Sequence, residues 1–241
     1  MNTTNLGAVK TQNDLIKIQF TLPADEWIIQ IVPEGNQGRP IRDIVTRQKL
    51  FSAEQVSWFR ALNANGCHIY GRPNSTRYVL IDDLQQEGII RLKQDGLVPT
   101  AIIETSPDNF QVWITASNDE LPIPVATQLA KLLEQQYSTD QGSADALHLG
   151  RLPGLRNKKP KYLDDPNDGG PLVLLRMARD APKIPDGIGE LIEEAVQFAA
   201  DRPPFCSSAL GACALDTFDL NAANSVFRFL LSASKIAPPK T

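Results

Sequence analysis

Apolar residues along the first three quarters of the chain come in short runs with two different rhythms. Residues 27–32 (WIIQIV) form a β-branched block closed by Pro33, which predicts a buried strand. GNQGRP at 35–40 has the composition of a loop. Ser52 and Gln55 have capping-box spacing ahead of Val56, Phe59 and Leu62, so a helix is predicted over 53–64, closed near Gly66. CHIYG (67–71) and RYVLID (77–82) read as strands joined by turn residues 72–76. A short helix at 85–95 stops at Gly96. AIIETS (101–106) and FQVWITA (110–116) flank Ser106-Pro107-Asp108-Asn109, where proline at the second turn position predicts a hairpin.

Pro124 opens a helix over 124–137 that buries Val125, Leu129, Leu132 and Leu133. PLVLLR (171–176) closes the series as a strand. A hairpin embedded among alternating strands and helices indicates an α+β fold without internal repeats. Composition changes after residue 177. The expected division is therefore a core at 1–177 and a small helical appendage at 178–241. The appendage would hold helices at 186–200 and 221–236, the second capped by Thr217 or Asp219.

Bulk properties narrow the classes. At 241 residues, 42% hydrophobic and 22% charged, the chain can bury a real core. No apolar run approaches the roughly 18–20 residues that span a bilayer, and the N-terminus lacks a signal-peptide pattern. Three cysteines (Cys67, Cys206, Cys213) make no closed disulfide set and have no zinc spacing, so a reducing cytoplasm is expected. A net charge of −4 argues against general coating of nucleic acid. The charge is uneven, however: Arg151, Arg156, Lys158, Lys159 and Lys161 fall within eleven residues that contain no acid.

Candidate chemistry gathers in few places. Asp82-Asp83 directly follows the apolar run 78–81, and adjacent carboxylates repel unless a cation shares them. Neighbours on a regular strand face opposite ways, so both acids reach one site only if the chain turns here. Otherwise they form an acidic cap for the helix at 85–95. A third carboxylate could be Asp140, with Asp145 as its rival; taken alone, either reads first as a loop acid or turn former. In Ala146-Leu-His-Leu-Gly150, alternation places Leu147 and Leu149 on one face and His148 on the other. If the leucines face the core, His148 faces a cleft; a structural histidine is the alternative. The sequence has no phosphate-binding Gly-x-x-x-x-Gly-Lys loop, and Ser143 lacks a nucleophile-elbow motif.

Three segments together resemble a known family: Tyr78-Val-Leu-Ile-Asp-Asp-Leu84, Glu104-Thr-Ser-Pro-Asp-Asn-Phe-Gln-Val-Trp113, and Ser143 through His148, Arg151 and Gly154 to Lys158. In this order they resemble plasmid RepB-type DNA primases of the archaeo-eukaryotic primase superfamily, over roughly residues 55–165. The resemblance implies a catalytic core with an RRM-like mixed sheet. Such a core makes primers on single-stranded DNA from nucleoside triphosphates, using magnesium or manganese. It implies Asp82, Asp83 and Asp140 as metal-binding catalytic acids. His148 and Arg151 match the H-x-x-R-L-x-G segment and are assigned to the incoming triphosphate, and Asn157, Lys158 and Lys159 join them as nucleotide-binding candidates. Arg72 is a weaker one. Many superfamily members differ in having Asp-x-Asp and a third acid after the histidine motif.

The leading expectation is thus a plasmid or mobile-element primase, with a replicative helicase as a possible partner. A non-catalytic single-strand-binding replication-initiation module is the alternative, with Trp113, Tyr78 and Phe110 as stacking residues. A metal-dependent nuclease is the third option.

Overall fold

The computed structural model describes residues 3–33, 39–137, 144–162, 169–181 and 183–201. In chain order the elements are α1 (Thr3–Thr21), β1 (Glu26–Val32), β2 (Ile41–Thr46), α2 (Arg47–Leu50), α3 (Ala53–Ala64), β3 (His68–Pro73), β4 (Tyr78–Leu84), α4 (Gln86–Gln94), β5 (Ala101–Ser106), β6 (Asn109–Thr115), α5 (Ile123–Tyr137), β7 (Gly150–Arg151), β8 (Leu174–Ala178) and α6 (Ile188–Ala200). The strands divide between two four-stranded sheets, ordered β2-β1-β3-β7 and β4-β6-β5-β8. Each pairing within them is antiparallel. The α+β class stands; in place of one mixed sheet the described strands form two antiparallel ones.

Period-two alternation shows how the second sheet can serve two cores. Tyr78, Leu80, Ala101, Ile103 and Trp113 join a core with α1, α3 and the inner face of the first sheet. Their chain neighbours Val79, Ile81, Ile102, Val112 and Ile114 face the other way, onto α4, α5 and α6. Helix α6 packs on α5 and completes this second core through Ile188 and Ala195. The expected helix at 221–236 lies outside the described residues. Among those described, no helix is long and apolar enough to cross a membrane, and Cys67 is buried.

Local signals explain most boundaries. Ser52 Oγ accepts the Gln55 N–H at 3.2 Å and starts α3. Ser106 pairs with Asn109 across the β5–β6 turn, where Pro107 precedes Asp108 at φ +57°, the proline-then-positive-φ order of a type II turn. Helix α4 is preceded by Gln85 with no side-chain cap, so neither Asp82 nor Asp83 caps it. Strand β8 begins three residues later than expected. Val173 is instead buried in the first core, and Leu172 makes an isolated bridge to Arg156.

One irregularity matters most. In β4, Ile81 pairs with Val112 and Leu84 with Phe110, so Asp82 and Asp83 together oppose the single residue Gln111. This is a β-bulge, and its extra residue, Asp83, adopts φ +56°. Aspartate tolerates that left-handed conformation better than most side chains, whereas a β-branched residue does not. Asp83→Val is therefore expected to lower stability by about 1–3 kcal/mol, while Asp83→Gly stays within about 1 kcal/mol of the parent. Urea denaturation of the two variants checks this; equal destabilisation would show that the bulge conformation is not what the site demands.

Candidate active site

The bulge turns what alternation forbids into a shared site. Asp82 lies on the same face as Leu80, and the inserted Asp83 also reaches the cleft that Asp82 lines. Two contacts fix the acids. The Asp83 N–H donates to Asp82 Oδ1 at 2.8 Å, and Asn109 Nδ2 donates to Asp83 Oδ1 at 2.9 Å. Asn109 is itself held by Thr105 Oγ1, 3.1 Å from its Oδ1. The T-S-P-D-N hairpin thus supports the acidic pair directly.

The cleft, of about 510 Å³, lies between this edge of the second sheet and one face of the first. His148 Nε2 stands 3.5 Å from Asp82 Oδ2. Burial opposes ionisation of Asp82, but the His148 hydrogen bond, the Asp83 N–H and Gln111 hold its pKa below the usual carboxylate value. Burial likewise works against His148 as a cation, yet Asp82, with Glu134 and Asp145 further off, raises its pKa. Leu147 and Leu149 line the cleft as well. The alternation expected around His148 is therefore absent, because 146–147 is a turn and not a strand.

Arg151 faces the acids from β7. Its backbone N–H donates to Gln111 Oε1 at 2.8 Å, and its Nη2 donates to Tyr70 Oη at 3.0 Å, with the guanidinium 4.8 Å over the Tyr70 ring. This close approach of the two sheets leaves little room at Gly150. A Cβ there would lie 3.2 Å from both Leu80 Cδ2 and Trp113 Cζ2.

The other expected cations separate. Lys159 lines the cleft. Lys158 is buried and Asn157 almost wholly so; Asn157 Nδ2 donates to the Thr105 carbonyl, and its Oδ1 accepts the Lys159 N–H. Asn157 therefore shapes the loop and does not line the cleft. Arg156 Nη1 bonds the Gly170 carbonyl, away from the acids, and Lys161 sits over the Tyr162 ring.

Arg72 is not a surface cation either. It is 1% exposed, and burial lowers its pKa to about 10. Its guanidinium donates to the carbonyls of Pro73, Ala146, His148, Ser75 and Tyr78, tying the β3–β4 turn to the segment that carries His148. The stacking residues of the single-strand-binding alternative are core: Trp113 and Tyr78 are 2% exposed and Phe110 is buried.

Asp140 lies outside the described residues. Asp145 lines the cleft, but its Oδ1 accepts the Leu147 N–H as a turn former. Among the described residues no group of three His, Cys, Asp or Glu could hold a metal ion. Two hard carboxylates open to one cleft do suit magnesium or manganese, which keep part of their shell for water and phosphate oxygens. The donor set fits such an ion as a partial site.

Several lining residues escaped the sequence reading, namely Gln30, Arg42 and Tyr70. The available signal was a lone glutamine inside the apolar run 27–32.

The family described as RepB DNA-primase N-terminal domain matches residues 47–185. Mobilization protein A of Escherichia coli is 33% identical over 170 residues, covering 64% of this chain and 24% of that protein. A DNA primase of Acidithiobacillus ferrooxidans is 34% identical over 125 residues, covering 49% of this chain and 34% of its own length. The chain thus spans between 24% and 34% of the length of these curated relatives. The crystal structure of the catalytic domain of primase RepB′ in complex with initiator DNA superposes with a TM-score of 0.69 at 26% identity, over 79% of this chain and 96% of that one.

Two expectations follow from the geometry. Arg72→Lys replaces five fixed donors with one compact ammonium, so it should cost about 2–4 kcal/mol in denaturant unfolding; a cost under about 0.5 kcal/mol would refute the strut role. His68 is the second. Burial first, then Arg151, Lys159 and Lys158, push its pKa from 6.5 to about 4. The unfolded chain then binds a proton that the folded chain refuses, so stability should fall as pH drops from about 6.5 to about 4. Thermal melts across this range should show a shallower fall in His68→Gln than in the parent.

Proposed function

This chain belongs to the RepB DNA-primase N-terminal domain family of the archaeo-eukaryotic primase superfamily, and from that premise we propose that it makes primers on single-stranded DNA by nucleotidyl transfer. The observation that carries the reading is the bulge in β4, which brings Asp82 and Asp83 to one cleft opposite His148 and Arg151. In this reading Asp82 and Asp83 hold magnesium or manganese, with Asp140 as the third acid. When bound, such ions supply Lewis-acid neutralisation of charge on the transferring phosphoryl group.

The chain's own residues supply position and charge. Arg151, pinned by Tyr70 and Gln111, takes the triphosphate oxygens, joined by Lys159. His148 donates to Asp82 or to a phosphate oxygen from the opposite wall. The 3′-hydroxyl of the growing strand gives its proton to water and forms a bond to the α-phosphorus, the bond from the α-phosphorus to the α–β bridging oxygen breaks, and pyrophosphate leaves with the displaced electron pair. Asn157 and Lys158 act one layer back, through the loop that carries Lys159.

The test is incorporation of labelled nucleotides on a short single-stranded template with magnesium or manganese. Asp83→Asn keeps the left-handed preference and the Asn109 partner but removes the charge. It should stay folded, melt no lower than the parent, and lose on the order of 10²-fold or more in rate. A folded Asp83→Asn protein that still extends primers at the parent rate would sink the assignment. Strand binding by the parent with no incorporation under either metal would favour a non-catalytic module.

A further inference from the structure

The register of the first sheet aligns four residues from four strands. Gln30 of β1 pairs with Arg42 of β2 on one side and Tyr70 of β3 on the other, and Tyr70 pairs with Arg151 of β7. Alternation puts all four on the face away from the core, and all four line the cleft of the acidic pair. The row crosses the whole sheet, about 14 Å at the ~4.8 Å spacing of strands. It starts at an exposed arginine on an edge strand and ends beside Asp82 and Asp83.

Building on the primase reading, we infer that this row, Arg42-Gln30-Tyr70-Arg151, is the track on which a single nucleic-acid strand approaches the acids, with Arg42 gripping a backbone phosphate outside the nucleotide site. The charge suits a polyanion, because both ends of the row are arginines. The face is also partly apolar: Ile44, two residues from Arg42 on the same face, is 46% exposed. A cationic line beside apolar side chains on an open sheet matches unpaired bases better than a closed duplex. A track of about 14 Å, three strand spacings of ~4.8 Å, exceeds what one triphosphate chain needs.

Arg42 is the residue to change, since it is exposed, lies far from the acids along the row, and is not needed for packing. Fluorescence anisotropy with a short labelled single strand, without nucleotide or metal, reads the track alone. Arg42→Gln should bind about 5- to 10-fold more weakly at low salt and lose about one from the slope of log K against log salt. Its KM for nucleotide in the extension assay should stay within about twofold of the parent. Lys93→Gln, the same loss of one positive charge on the exposed face of α4, controls for net charge and should leave strand affinity near the parent's. The track is overturned if folded Arg42→Gln binds with the parent's affinity and slope, or if Lys93→Gln weakens binding as much. It is also overturned if the loss appears in the nucleotide KM instead. Arg42-dependent strand binding by a parent that incorporates nothing would refute the primase reading and leave the track standing.

Discussion

The arrangement rests on a mismatch of one residue between β4 and β6, where Asp82 and Asp83 share the space opposite Gln111. A regular strand would send one of these carboxylates to the cleft and the other into the apolar core formed with α4 and α5. Burying an unpaired charge there costs far more than the roughly 1–2 kcal/mol of left-handed backbone at Asp83. The bulge therefore relieves a larger penalty than the one it introduces. Gln111 uses the same gap: it approaches Asp82 and accepts the Arg151 N–H, so a single side chain ties the acidic and basic sides together.

Around that centre the charges are graded by access to water. Arg72 is buried and spends its donors on carbonyls, Arg151 is buried but leans over Tyr70 into the cleft, and Arg42 is exposed at the sheet edge. Chemically similar residues thus have three different tasks, decided by where the sheet register leaves them. The lowered pKa of His68 reports the same gradient, since burial and the neighbouring Arg151, Lys159 and Lys158 make this corner hostile to one more proton.

What the sequence reveals follows the range of the interactions involved. Helix α3 and the β5–β6 hairpin are encoded locally, by Ser52 with Gln55 and by Pro107 with Asp108, and both are legible. The acidic pair stands out because adjacent aspartates after an apolar run are unusual. Helix α1 is hidden because, of its described buried residues Thr11, Leu15, Ile18, Gln19 and Thr21, three are polar, so the buried stripe does not read as apolar. Strand β2 is hidden because four of its six positions are exposed and show no alternation. The bulge and the row through Gln30 and Tyr70 are products of pairing between distant strands, which no local window contains. For the same reason sequence offers Arg72 and Asn157 as binding candidates, whereas in three dimensions both are buried and donate to backbone carbonyls.

Gly150 shows what this economy implies for the width of the reaction space. The gap between the two sheets at that point is filled by a single hydrogen atom, so the acid-bearing wall and the cation-bearing wall are spaced by the absence of a side chain. A Cβ at this position would meet Leu80 Cδ2 and Trp113 Cζ2 at 3.2 Å, so a side chain here makes its neighbours, or β7 itself, give by a few tenths of an ångström. The distance between the Arg151 wall and the carboxylate wall is thus tuned at a position that carries neither group.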